Sequence, residues 1–397
     1  MAITKMIDIC EKIGSGATPR GGKEAYCDEG ISLVRSQNVL DFAFSRVGLA
    51  YINDEQAQKL NNVEVHEGDV LLNITGDSVA RACMMDSVFL PARVNQHVAI
   101  VRGKENKVIN SFILYFLQWQ KGYLLQLASA GATRNALTKG MIEQLEINLP
   151  SMNEQKKIVA ILDSIQQKIQ LNQKINDNLQ QQAQTLFAEH FCLRSGDPVP
   201  QGWVLTALGD VAVISNKSFN PLKQPETMLE HYSIPAFDES RYPVFELSTA
   251  IKSNKFIVDA DCFMISKLNP TTKRVWRPYC MTQDAVCSTE FIVYKAKDRK
   301  LTNFLYSLID SSAFSDFMCS HVTGSTGSRQ RTIPSDTLLY QFYLPTTEEI
   351  AAFSAVVTPM YAQIRVNAME NARLKALRDT LLPRLMSGEI DVSDIRI

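Results

Sequence analysis

The sequence predicts an α+β fold organised as an internal repeat, in which two mixed α/β domains are each followed by one long helix. Three observations carry that expectation. A polar segment with helical patterning occurs twice, 195 residues apart. Both copies open on the same helix-start signal. The stretches ahead of them share short β-branched runs, 193 residues apart, so the period is that of a whole domain plus a helix rather than of a small solenoid unit.

The first domain is expected over 1–148. Within it Gly68-Asp69-Val70-Leu71-Leu72 and Gln96-His97-Val98-Ala99-Ile100-Val101 read as strands, and 112–127 reads as one amphipathic helix. A polar loop follows, Gly131-Ala132-Thr133-Arg134-Asn135. The second domain, 193–343, repeats the plan. Its strands are Asp261-Cys262-Phe263-Met264-Ile265 and Thr289-Glu290-Phe291-Ile292-Val293-Tyr294, its helix is 304–317, and its polar loop runs over 324–331.

The long helices are expected over 149–192 and from 344 into a tail ending at 397. Each follows a Leu-Pro pair, Leu149-Pro150 or Leu344-Pro345, and each opens as S/T-x-x-E, with Ser151 and Glu154 or Thr346 and Glu349. In this capping box the hydroxyl accepts from a first-turn N–H and the glutamate reaches back to the cap. Apolar residues then step by four and three along Ile158, Leu162, Ile165, Ile169, Asn172, Asn176, Leu179, Ala183 and Leu186. The second copy gives Phe353, Val357, Met360, Ile364, Asn367, Asn371, Leu374, Arg378 and Leu381. This is an a/d seam. We expect it to fray at Arg378, and we expect Asn172 to pair with Asn367 near the middle and fix the register. Each helix should be about 55–60 Å long at 1.5 Å per residue.

Composition excludes several classes. With 41 basic and 42 acidic residues the net charge is −1, and 45% of residues are apolar against 21% charged. That is neither a disordered chain nor a histone-like polycation. Near-neutrality leaves nucleic-acid binding open, because a net charge sums surfaces that differ in sign. The eight cysteines and five histidines form no zinc-ligand spacing, and scattered thiols fit a reducing, cytoplasmic setting. No signal peptide is expected, and no apolar run approaches the ~18 residues of a membrane helix.

Catalytic motifs are missing. Gly16-Ala17-Thr18-Pro19-Arg20-Gly21-Gly22-Lys23-Glu24 imitates a phosphate loop, but the spacing to its Gly-Lys pair is wrong and Glu24 stands where a magnesium-ligating hydroxyl belongs. Gly14-Ser15-Gly16 is too short for a dinucleotide fingerprint, and Asn269-Pro270-Thr271 lacks the second proline and aromatic residue of an adenine-methyltransferase motif. Basic stretches without acids are present instead. Residues 264–280 hold Lys267, Lys273, Arg274 and Arg277, with Trp276 and Tyr279 interleaved. Arg134 and Asn135 sit in the first polar loop, and Arg329 and Arg331 in the second. Arg81, Arg93 and Gln96 lie in the first domain. Arginine, asparagine and glutamine are the side chains that pair with base edges, and lysine and arginine bind phosphate. Any one stretch reads equally as a solvated loop; recurrence at equivalent places in two related domains favours binding.

The whole chain resembles the specificity (S) subunits of type I restriction–modification systems. The resemblance rests on the repeat, on Glu154-Gln155-Lys156-Lys157-Ile158 after Leu149-Pro150, and on Pro200-Gln201-Gly202-Trp203 with Leu208-Gly209-Asp210. It rests also on the tail Leu377-Arg378-Asp379-Thr380-Leu381-Leu382-Pro383-Arg384-Leu385-Met386-Ser387-Gly388-Glu389-Ile390. The first half departs in lacking a Pro-x-Gly-Trp entry; it opens at Ile7-Asp8-Ile9, the counterpart of Gly209-Asp210-Val211.

The resemblance implies two target recognition domains, each reading one half of a bipartite, asymmetric double-stranded DNA site. It implies spacer helices packed as an antiparallel coiled coil. As partners it implies two modification (methyltransferase) subunits, which bind S-adenosylmethionine and methylate adenine, and restriction (translocase/nuclease) subunits, which use ATP and Mg2+. The chain itself is then expected to be non-catalytic and to bind no cofactor or metal. The competing expectation is a coiled-coil adaptor whose globular domains bind protein.

Overall fold

The computed structural model describes residues 2–19, 25–129, 135–194, 196–323 and 330–395. The chain forms two compact units, Met1–Lys168 with Leu374–Ile397, and Ile169–Arg373. This division cuts through both long helices instead of following the segment ends at 148, 192 and 343. Antiparallel packing is the reason: the start of one helix lies beside the end of the other within each unit.

In the first unit the strand Val98–Gly103 lies inside an antiparallel sheet ordered Cys10–Ser15, Val98–Gly103, Val70–Asn73, Ala82–Met84. Successive side chains point to opposite faces. Ala99 and Val101 join a core with Phe112, Phe116, Ile158 and Leu162 from the helices, whereas Val98 and Ile100 join a second core. That second core is closed by another sheet, Ala50–Ile52, Ile31–Val34, Ala92–Val94 and Glu64–Val65, in which Ile31–Val34 and Ala92–Val94 run parallel. Both faces of the central strand are buried, which is why its sequence reads as an unbroken apolar run.

The second unit repeats these layers. Phe291–Ala296 lies between Ala212–Ile214 and Cys262–Ser266, with Val275–Trp276 outside them. Ile292 and Tyr294 face the helices, and Phe291 and Val293 face a five-stranded sheet. There Met228–Tyr232 and Ala285–Ser288 form the parallel pair. Each unit also closes with a two-stranded ladder ahead of its long helix. Ala2–Lys5 pairs with Glu146–Leu149, and Val204–Ala207 pairs with Gln341–Leu344. The helical turns Met6–Ile9 and Leu208–Val211 follow, as the sequence correspondence required.

The expected helices at 112–127 and 304–317 are each two helices. Asn110–Trp119 stops at Gln120 before Lys121–Ser129, and Thr302–Ile309 stops before Ser312–Ser320. In the second case Ser311 caps the new helix by accepting from the Phe314 N–H at 3.2 Å, a break that apolar periodicity does not register.

The long helices span Met152–Phe191 and Thr347–Ser387. Both capping boxes form: the Glu154 and Glu349 carboxylates accept from the backbone N–H and the hydroxyl of Ser151 and Thr346. The bonds from Ser151 hold Glu154 below the usual carboxylate range. Pro359 and Pro383 do not end the second helix. Val357 and Tyr361 flank the first of them, and Leu382 and Leu385 the second, all buried, so packing outweighs a cost of about 3 kcal/mol per interior proline.

The seam is antiparallel within each unit, but its asparagines pair differently from the expectation. Asn172 donates to Asn371 Oδ1 at 2.9 Å, and Asn367 donates to Asn176 Oδ1 at 2.8 Å. Asn172 and Asn367 therefore do not face each other. When two equivalent helices pack antiparallel, residue i meets the counterpart of j and j meets the counterpart of i, so the pairs cross. The expected fraying at Arg378 is also absent. Arg378 is 8% exposed, donates to Gln166 Oε1 at 2.9 Å, and lays its guanidinium 4.1 Å from the Phe42 ring centre.

The crossed pairs give a direct test. Asn172→Leu or Asn371→Leu alone removes the bond between two buried amides, leaving Asn371 only its bond to the Ile169 carbonyl or Asn172 only its bond to Glu370, and should lower stability in urea denaturation by about 1–3 kcal/mol. The double replacement should cost less than either single one. Additive losses would show that the two amides do not act as a pair.

Candidate nucleic-acid interface

The loops at one end of each central sheet form the same platform twice. In the first unit Ile74 N–H donates to the His97 carbonyl at 3.0 Å, Leu137 N–H to the Ile74 carbonyl at 2.8 Å and Gly76 N–H to the Asn135 carbonyl at 3.1 Å. Thr75 and Ala136 form a β-bridge. In the second unit Lys267 N–H donates to Glu290 at 2.9 Å, Thr332 N–H to Lys267 at 3.1 Å and Asn269 N–H to Gln330 at 2.9 Å. Leu268 and Arg331 form the bridge. The hairpin bond recurs too: Asn73 N–H donates to Arg81 at 2.8 Å, and Ser266 N–H to Arg274 at 2.9 Å. Gly76 and Asn269 hold the same place with φ of +76° and +48°, a left-handed conformation that these two residue types tolerate best.

Gly16 belongs to this platform in the first unit. Its N–H donates to the Asn95 carbonyl at 3.1 Å. A β-carbon on it would stand 1.7 Å from the Val94 carbonyl oxygen. The glycines that imitate a phosphate loop thus begin as a close backbone approach, which brings Thr18 to Gln96.

The candidate residues divide by where their side chains go. Arg81, Gln96 and Asn135 lie on the first platform. Gln96 and Asn135 are exposed, and Arg81 is half-buried with no hydrogen bond or ion pair to its guanidinium among the described residues. Arg93 is a correction. It is 5% exposed and donates to the Ala57 and Ala92 carbonyls at 3.2 and 3.0 Å and to Asn61 Oδ1 at 3.0 Å. Glu64 lies 3.3 Å from it. Its strand buries it inside the sheet layer, so it holds the fold instead of offering a surface contact.

Lys267 and Arg331 lie on the second platform, with the backbone of Arg274. Lys273 and Arg277 reach the helix layer instead: Lys273 pairs with Asp310 at 2.8 Å, and Arg277 donates to Asn303 Oδ1 at 2.6 Å. Arg134 and Arg329 lie outside the described residues.

The stretches read as free of acid are so only along the chain. Asp238 takes both ends of the Arg274 guanidinium at 2.6 and 2.9 Å, and Glu290 takes Arg331 at 3.0 and 3.1 Å. Arg331 keeps 43% side-chain exposure, so the ion pair braces a surface cation without burying it. Sequence reasoning missed Thr18, Thr75 and His97, whose side chains link up with Gln96. The one available signal was the strand-end position of His97. Among the described residues no group of three or more His, Cys, Asp or Glu could hold a metal ion, and no helix is long and apolar enough to cross a membrane.

Rigid backbone loops carrying exposed amides and braced arginines suit hydrogen bonding to an extended polar partner. Comparisons with known proteins give that partner a context. Residues 3–181 match the family model described as the type I restriction modification DNA specificity domain. The chain is 22% identical to the specificity subunit of the type I restriction enzyme MjaIX of Methanocaldococcus jannaschii, over 99% of this chain and 94% of that protein. It is 21% identical to the HindI specificity subunit of Haemophilus influenzae, over 91% of this chain and 94% of that protein. The crystal structure of the type I restriction–modification S subunit from M. genitalium shares its fold, with a TM-score of 0.55 at 13% identity, covering 97% of this chain and 96% of that one. The repeat in the geometry and these comparisons lead to one conclusion: residues 3–181 match the type I restriction modification DNA specificity domain, and the chain is similar over nearly its full length to specificity subunits of type I restriction–modification systems.

Proposed function

We propose that this chain is the DNA sequence-recognition subunit of a type I restriction–modification complex, each platform reading one half of a bipartite, asymmetric site. The observation that carries this reading is the platform itself. Two sets of backbone hydrogen bonds match residue for residue, while the side chains they display differ. A common frame with divergent contents is what reading two unlike half-sites requires, since base contacts specify and phosphate contacts position.

The division of labour follows from the chemistry. Gln96 and Asn135 carry the paired donor and acceptor that match adenine edges. Arg81 and Arg331 carry the fork that matches guanine or phosphate, whereas the Arg274 guanidinium is committed to Asp238 and Thr272 and is 13% exposed. The brace on Arg331 lowers the entropy lost when a guanidinium is fixed against a base. The near-neutral chain then relies on partners for much of its phosphate grip. We propose these partners to be two modification subunits, which bind S-adenosylmethionine, and restriction subunits, which use ATP and Mg2+. The assembly works in the cytoplasm, and this subunit contributes specificity rather than chemistry. In it the long helices set the separation of the half-sites and dock the modification subunits.

Methylome sequencing of cells carrying the chain with its modification partner should show a split, adenine-methylated motif with a fixed gap. A stably assembled complex that leaves no such motif would overturn the reading. Because the helices are in register, one heptad must be added to both at matched positions. That insertion adds about 10 Å and should lengthen the gap by about three base pairs with the half-site sequences intact; an unchanged gap contradicts the spacer role. Arg331→Ala should relax one half-site only, by about 1–3 kcal/mol. Arg93→Ala should instead lower the unfolding midpoint and leave base preference unaltered in whatever protein remains folded.

A further inference from the structure

The first platform carries a line of side chains that the second lacks. The Thr18 hydroxyl donates to Gln96 Oε1. Gln96 Nε2 lies 3.1 Å from His97 Nε2, and His97 Nδ1 lies 2.6 Å from Thr75 Oγ1. The assigned orientation of the Gln96 amide sets the direction of the whole line. An amide N–H aimed at His97 Nε2 makes that nitrogen an acceptor and places the ring hydrogen on Nδ1. Nδ1–H then donates to Thr75 Oγ1. The hydroxyl hydrogen of Thr75 is left over, and no described residue accepts it.

Each member of the line is fixed from a different loop. The His97 N–H donates to Asn95 Oδ1 at 3.0 Å, and its carbonyl receives the Ile74 N–H. Thr75 is bridged to Ala136, and Gly16 presses the Thr18 loop against Val94. The second unit has Glu290 in place of His97, Leu268 in place of Thr75, Thr289 in place of Gln96 and Arg331 in place of Ala136, as its matched backbone bonds require. The first platform thus presents a neutral, oriented donor where the second presents a braced cation.

Resting on the DNA-recognition reading above, we propose that Thr75 is a specificity-determining residue of one half-site. It donates its hydroxyl hydrogen to an acceptor atom on a base edge in the major groove, and His97 is the residue that positions it. A purine N7, a guanine O6 or a thymine O4 would serve as that acceptor. Because the donor is uncharged, its removal should change base preference without changing the salt dependence that phosphate contacts impose.

The test uses the chain assembled with its modification subunits. Binding competition is run against DNA altered one base at a time across both half-sites, at two salt concentrations. The unmodified complex is measured first, and its failure to select a split site would overturn the DNA-recognition reading and this inference with it. Given that selection, Thr75→Val and His97→Ala should each relax discrimination by about tenfold at one shared base position. The other half-site and the salt slope should stay as they were. Thr75→Ser, which keeps the hydroxyl, should retain the original preference. Full discrimination by Thr75→Val would overturn the proposal, as would equal impairment of the valine and serine variants or relaxation at both half-sites.

Discussion

A buried amide tolerates few neighbours, and that constraint sets the register of the helix seam. Asn172, Asn367 and Asn371 are each less than 10% exposed. A slip of one heptad would bring aliphatic or charged residues against them and strand amides that cost about 1–3 kcal/mol apiece. The crossed pairing of Asn172 with Asn371 and of Asn176 with Asn367 removes that ambiguity in the second unit. Arg378 acts to the same end in the first, where Gln166 and the Phe42 ring take up its guanidinium. Polar residues that look like flaws in an apolar stripe thus hold the alignment. A spacer can measure distance only if its two helices cannot slide.

On the proposed reading, the platforms let one fold carry two specificities. Their backbones are matched by hydrogen bonds that involve no side chain, so side chains can change without moving the frame. Central strands buried on both faces anchor the loops, with Val98 and Ile100 on one side and Ala99 and Val101 on the other. On that rigid base a histidine in one unit and a glutamate in the other turn the same position to different chemistry. Glu290 forks onto Arg331, and His97 joins Gln96 to Thr75.

Much of this was legible in the sequence, for identifiable reasons. Helices with capping boxes and a sustained seam, and strands buried on both sides, write themselves as local patterns. The repeat then doubled the signal. What could not be read were interactions between residues far apart along the chain. Arg93 looked like a surface cation because nothing nearby says that its strand is covered by Ala57 and Asn61. The stretch 264–280 looked unpaired because its acids come from Asp238 and Asp310. The asparagine pairing was off by one turn because identical positions in two copies are not the positions that meet when the copies pack antiparallel. Thr18, Thr75 and His97 went unnoticed because reading chemistry was sought among arginine, lysine, asparagine and glutamine, whereas hydroxyls and an imidazole complete the line of side chains on the first platform.

The central claim is that one chain holds two readers for two separated stretches of DNA. Chemical interference footprinting of the assembled complex tests it most directly: DNA modified at single bases is bound, separated from unbound DNA, and scored for bases whose modification blocks binding. The account predicts two short blocks of interfering bases flanking a stretch where base modification has no effect. One continuous block, or interference at phosphates alone, would contradict it.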